Sequence, residues 1–125
     1  MTTINNSNLY YSGNCDDVSI NVAANTTLEP GTLLGIDKTS GKIRAYDSTN
    51  CTADDFYVLL HQVKNTTGSA ADVTMCRVLD GGDIKASNLI LVDDSDTLTT
   101  ALIAQLKSSG IRVVKVSEET KGDIL

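Results

Sequence analysis

The chain has 125 residues, 41% of them hydrophobic, and a formal net charge of −6 from 16 acidic and 10 basic side chains. That length supports one domain with a modest core, and the acidity disfavours a nucleic-acid binder, which must neutralise phosphates. No apolar run approaches the roughly 20 residues that a helix needs to cross a bilayer, and the first residues lack the basic and apolar regions of a signal peptide.

Aromatics are few, with four Tyr, one Phe and no Trp, and there is a single proline. The core must therefore be Val, Ile and Leu, and the abundance of Val, Ile and Thr favours a β-rich fold. Cys15, Cys51 and Cys76 are odd in number and show no C-x-x-C spacing. Reduced thiols in a cytoplasm are the expectation, with Cys76 a small core residue inside an apolar run.

Residues 1–16 are rich in Asn, Ser and Thr, with isolated Ile4, Leu9, Tyr10 and Tyr11. So little apolar surface does not offset the entropy of ordering, and the segment reads as a flexible N-terminal arm ahead of one domain at 17–125. Such an arm either frays or orders by adding a strand to a partner's sheet. Residues 17–22 alternate, with Val18, Ile20 and Val22 on one face, and predict a half-buried strand.

The organising stretch is 28–47. Pro30 presets φ at the second position of a β-turn and Gly31 supplies positive φ at the third. Residues 32–36 then read as a buried strand, 38–42 as a hairpin reversal and 43–46 as a second strand. A polar loop is expected over 48–55. The apolar run 56–63 predicts a central strand buried on both faces.

Residues 64–69 read as a turn and 71–79 as a strand, with Val73, Met75 and Arg77 facing one way and Thr74, Cys76 and Val78 the other. Asp80-Gly-Gly-Asp83 reads as a tight reversal. Residues 84–92 give a further strand or a broken one. One helix is predicted over 97–108, with Leu98, Leu102 and Leu106 in a stripe, Asp94 or Asp96 as its cap and Gly110 just past its end. Residues 111–116 form a last strand. The fold class is thus mainly β with one short α-helix, a compact β-barrel or sandwich-like domain.

Catalytic chemistry is poorly supplied. The single histidine, His61, lies inside the apolar run and reads as a packed or edge residue. Asp93, Asp94 and Asp96 lack the spaced ligands, glycine and glutamate of a calcium loop. No metal or cofactor is expected.

The run Gly31-Thr-Leu-Leu-Gly-Ile-Asp-Lys-Thr-Ser-Gly-Lys-Ile-Arg-Ala-Tyr-Asp47 resembles the signature of phage head decoration proteins of the lambda D-like family. The order of elements is similar over about residues 25–116. The resemblance implies a non-enzymatic virion protein on the outer capsid surface, made in the host bacterial cytoplasm. It implies a trimer at three-fold positions that clamps the major capsid protein, with no nucleic-acid or membrane partner. It also implies that the arm grips the shell, through Thr2, Thr3, Ile4, Leu9, Tyr10 and Tyr11. The arm departs from the family pattern in being Asn-rich. The rival expectation is a small β-barrel accessory domain that binds a carbohydrate or other ligand in a concave polar site.

Overall fold

The computed structural model describes residues 11–93 and 95–114. Its strands are β1 (Tyr11–Val22), β2 (Thr26–Leu28), β3 (Leu33–Asp37), β4 (Ile43–Ala45), β5 (Cys51–Leu59), β6 (Val63–Asn65), β7 (Ala71–Lys85) and β8 (Ile111–Val114). A 3-10 turn, Ala86–Asn88, and one helix, α1 (Thr100–Ser108), lie between β7 and β8. The mainly β class with one short helix holds.

The main sheet runs β1-β4-β3-β5-β7-β8, and β1 also pairs with β7. Five strands therefore close into a barrel, and β8 extends the sheet from the last residues of β7. The β1–β4 and β7–β8 pairs are parallel, while β1–β7, β3–β4, β3–β5 and β5–β7 are antiparallel. A short antiparallel ribbon of β2 and β6 adds Leu28 and Val63 to the barrel interior.

Successive strand residues point to opposite faces, and here both faces are covered. Leu33, Val58 and Leu79 stand in register across β3, β5 and β7. They pack with Phe56, Ile84, Leu102, Leu106, Ile111 and Val113 beneath α1 and β8. Their chain neighbours Leu34, Leu59 and Val78 face the interior, with Ile20, Val22 and Cys76. All six central residues are fully buried, each contributing about 1.5–3 kcal/mol relative to exposure.

The turn at 29–32 forms as expected, with Gly31 at φ 98° and the Thr32 N–H donating to the Glu29 carbonyl at 3.2 Å. The β3–β4 hairpin, the alternation of 17–22, the burial of Cys76 and the strand at 111–114 also follow the sequence.

Several boundaries differ, each for a physical reason. Residues 11–16, expected in the arm, belong to β1, because β7 supplies the backbone partner that local composition does not reveal. The expected loop at 48–55 is strand from Cys51 onward. Cys51 is buried and paired with Asp37, while 52–55 bulge out of the ladder between that rung and Gly35–Phe56. The run 56–63 does not form one strand. It breaks after Leu59, where the Leu60 N–H turns to the Arg77 carbonyl, and resumes as β6.

Asp80-Gly-Gly-Asp83 is no reversal; β7 runs straight through it. Within β7, the alternation slips at Thr74 and Met75. These two residues stand opposite Ser19 alone, so Val73 rejoins the face of Cys76 and Val78 and Met75 is left exposed at φ 58°. The helix begins later than expected. Its cap is Thr99, whose hydroxyl accepts the Leu102 N–H at 3.1 Å, whereas Asp96 accepts from the Ser48 N–H and hydroxyl. Asp94 lies outside the described residues.

Candidate functional site

Of the arm residues that the sequence nominates, Thr2, Thr3, Ile4, Leu9 and Tyr10 lie outside the described residues. Tyr11 opens β1, its backbone paired with Ile84 of β7. On its other side Ile84 pairs with Val113 of β8. The chain thus enters the fold on a rung where three strands lie side by side.

Two residues further on, Gly13 faces Gly82 across the β1–β7 ladder. Their φ angles are +140° and +136°, a region that side-chain-bearing residues rarely adopt. A Cβ on Gly13 would overlap the Gly81 carbonyl, and one on Gly82 would overlap the Ser12 carbonyl. This crossing was not legible as such. Adjacent glycines between two strand-like runs signal a turn or a close backbone approach equally well, and only the partner strand decides.

The signature stretch forms an ion-pair cluster. The Asp37 carboxylate accepts the Thr39 and Ser40 N–H groups, both at 2.9 Å, and closes the β3–β4 turn. Arg44 reaches back to Asp37 at 3.2 Å and across to Asp47 at 2.8 Å. Asp47 also accepts the Asn50 N–H at 2.7 Å, holding the loop into β5. The Ser40 and Thr39 backbone donors, helped by Arg44, lower the Asp37 pKa to about 2. Burial pushes Asp47 upward, but the Asn50 donors and Arg44 outweigh it, and its pKa is lowered. This is a clamp on the fold, made of groups satisfied by one another.

No catalytic arrangement gathers among the described residues. His61 is exposed, with Nε2 accepting the Arg77 N–H at 3.0 Å and Nδ1 3.0 Å from the Gln62 carbonyl. That pair of contacts holds the ring against the β7 edge where β5 ends. Burial pushes the thiols of Cys51 and Cys76 up, away from thiolate reactivity. Asp93 accepts from the N–H and hydroxyl of Ser95, and no group of three or more His, Cys, Asp or Glu could hold a metal among the described residues.

A groove of about 310 Å³ is lined by Val22, Ala23, Leu28, Ala45, Val92 and Arg44, whose guanidinium is already engaged by Asp37 and Asp47. A second, of about 230 Å³, lies beside the start of α1 between Tyr46, Ser48, Asp96 and Gln105. No helix among the described residues is long and apolar enough to cross a membrane.

A family model described as bacteriophage lambda head decoration protein D matches residues 4–111. No individual curated protein matches the chain. The family match takes in the signature clamp, the closed barrel, α1 and the first residue of β8. It also extends beyond the described residues, as far as Ile4. The family is a structural one of the phage head, and association with the capsid follows from membership. The match spans most of the chain, including the stretch that forms the Asp37–Arg44–Asp47 clamp, and the chain belongs to the bacteriophage lambda head decoration protein D family.

Proposed function

We propose that this chain binds the outer surface of a phage capsid as a homotrimer at local three-fold positions and so stabilises the head. The major capsid protein is the partner, and Thr2, Thr3, Ile4, Leu9 and Tyr10 of the arm, with Tyr11 at the start of β1, make the contact. The observation that carries this reading is the family match over residues 4–111.

The mechanism is added buried contact, with no bond made or broken. Aliphatic and aromatic side chains dominate interface energy, and Ile4, Leu9 and Tyr10 are the large apolar groups ahead of Tyr11, the first residue of β1. Linking three modest contacts in one trimer raises the effective affinity of each. The free state of Cys15, Cys51 and Cys76 suits synthesis in a reducing host cytoplasm.

The test is co-sedimentation of the purified chain with expanded, undecorated phage heads, with and without residues 1–10. The cut falls at 10 because residues 11–16 belong to β1. The full chain should pellet with the heads and the shortened chain should remain in solution. Equal pelleting of both would remove the arm from the account.

A further inference from the structure

Tyr46 forms part of the wall of the groove of about 230 Å³ beside the start of α1. Its ring packs on Phe56 with centroids 5.4 Å apart, and the residue is only 6% exposed. Its backbone N–H donates to the Leu33 carbonyl. Its hydroxyl has no hydrogen-bond partner among the described residues. A buried tyrosine usually finds one, because an unpaired buried polar group costs free energy. What this hydroxyl can reach is the groove that the residue lines.

The other polar groups around the groove are of two kinds. Asp96 is held from behind: its Oδ1 accepts the Ser48 hydroxyl at 2.7 Å and its Oδ2 the Ser48 N–H at 3.1 Å. Each carboxylate oxygen keeps a further lone pair for a ligand. The Thr97 hydroxyl and the Gln105 amide, like the Tyr46 hydroxyl, have no partner among the described residues. Leu102 adds an apolar patch.

That inventory selects a ligand chemistry. No Lys or Arg lines the groove, and Asp96 repels an anion. One carboxylate is a poor cage for a cation, and no group of three ligating side chains gathers among the described residues. A wholly apolar ligand would bury Tyr46, Thr97 and Gln105 unpaired. What fits is a small neutral molecule with several hydroxyls beside an apolar face. A pyranose ring has that make-up, since its hydroxyls donate and accept while its C–H groups form a face. Burial, and then the Asp96 charge, push the Tyr46 phenol up, so it remains a donor at neutral pH.

We propose that this groove binds one neutral sugar unit, with Tyr46, Asp96, Thr97 and Gln105 hydrogen-bonded to its hydroxyls and Leu102 against its C–H face. The proposal does not depend on the arm–capsid contact.

Amide NMR spectra of the full chain, without shells, titrated separately with glucose, galactose, mannose and N-acetylglucosamine, test this. At least one sugar should give saturable shifts at Ser48, Thr97 and Leu102, with a dissociation constant on the order of 1 mM for so small a ligand. Tyr46→Phe should weaken that binding by about fivefold or more and leave the melting temperature unchanged, since the lost hydroxyl has no partner in the fold. Gln105→Ala should weaken it likewise. Gln62→Ala, whose amide is bound to Glu29 away from the groove, should bind like the unaltered chain.

The methyl glycoside of the sugar that binds separates two sources. Equal binding points to the end unit of a longer glycan, and loss points to a free sugar. No saturable shift with any of the four sugars leaves the groove to water and overturns the assignment. So do shifts centred elsewhere, or equal binding by Tyr46→Phe. A chain that binds sugar yet ignores shells overturns the capsid reading and leaves this one standing.

Discussion

Arg44→Ala separates a fold clamp from a contact residue. The guanidinium of Arg44 is 33% exposed and bridges Asp47, 10% exposed, at 2.8 Å, and Asp37 at 3.2 Å. An exposed pair is worth about 0–1 kcal/mol, and breaking a buried one costs about 3–5 kcal/mol. The Arg44–Asp47 pair lies between, so about 1–2 kcal/mol is expected after discounting for the solvent on Arg44. At roughly 3–5 °C per kcal/mol, between the values for 60–100- and 150–250-residue domains, melting should fall by about 3–10 °C. Arg44→Lys should recover only part, since one ammonium does not reproduce a planar fork shared between two carboxylates. Calorimetry gives the melting temperature, and shell binding measured well below it should be unchanged. Unchanged melting with lost shell binding would refute the reasoning, because Arg44 would then be a contact.

Other outcomes follow from the same structure. The Asp37 pKa of about 2 lies below the ordinary 3.8, and Asp47 and Asp72 are lowered too. A lowered carboxyl stabilises the fold above its unfolded value, and that contribution is lost as pH falls through the folded one. Melting temperature should therefore hold from about pH 7 to 5 and decline between about pH 4 and 2. Asp37→Asn should melt lower at neutral pH with a shallower acid decline, and an equally steep decline would contradict the assignment. Leu106→Ala empties a fully buried site under α1 and should cost about 2–5 kcal/mol by denaturant unfolding; a cost below that range would mean α1 is not packed as described. Thr99→Ala should cost about 1 kcal/mol through loss of the helix cap, whereas Asp96→Ala should leave the helix start intact, as read by amide hydrogen exchange at Leu102.

The barrel's organising turn and hairpin were legible because each depends on neighbours in sequence. Pro30 and Gly31 encode the turn, and the alternation from Ile43 onward encodes the returning strand. The α1 stripe, its buried Leu102 and Leu106 and its end at Gly110, φ 102°, were legible for the same reason. What escaped depends on a distant partner. Residues 11–14 look polar and unstructured until β7 is placed beside them, and Gly81-Gly82 looks like a turn until Gly13 is seen opposite. The slip at Met75 reversed the expected faces of β7 because a bulge adds a residue that no local pattern announces. Asp96 resembled a cap by its position before the helix, but Ser48, 48 residues away, holds it. In the candidate site, the clamp residues stood out in the signature, while the Gly13–Gly82 crossing did not.

Stoichiometry on the shell tests the central claim most directly. A trimer on every local three-fold of an icosahedral lattice gives one decorating chain per capsid subunit, by symmetry alone. Expanded heads saturated with the purified chain, washed and quantified by mass, should carry it at that ratio, and the ratio should collapse when residues 1–10 are removed. Heads that retain none of the full chain, or retain it equally without those residues, would contradict the account.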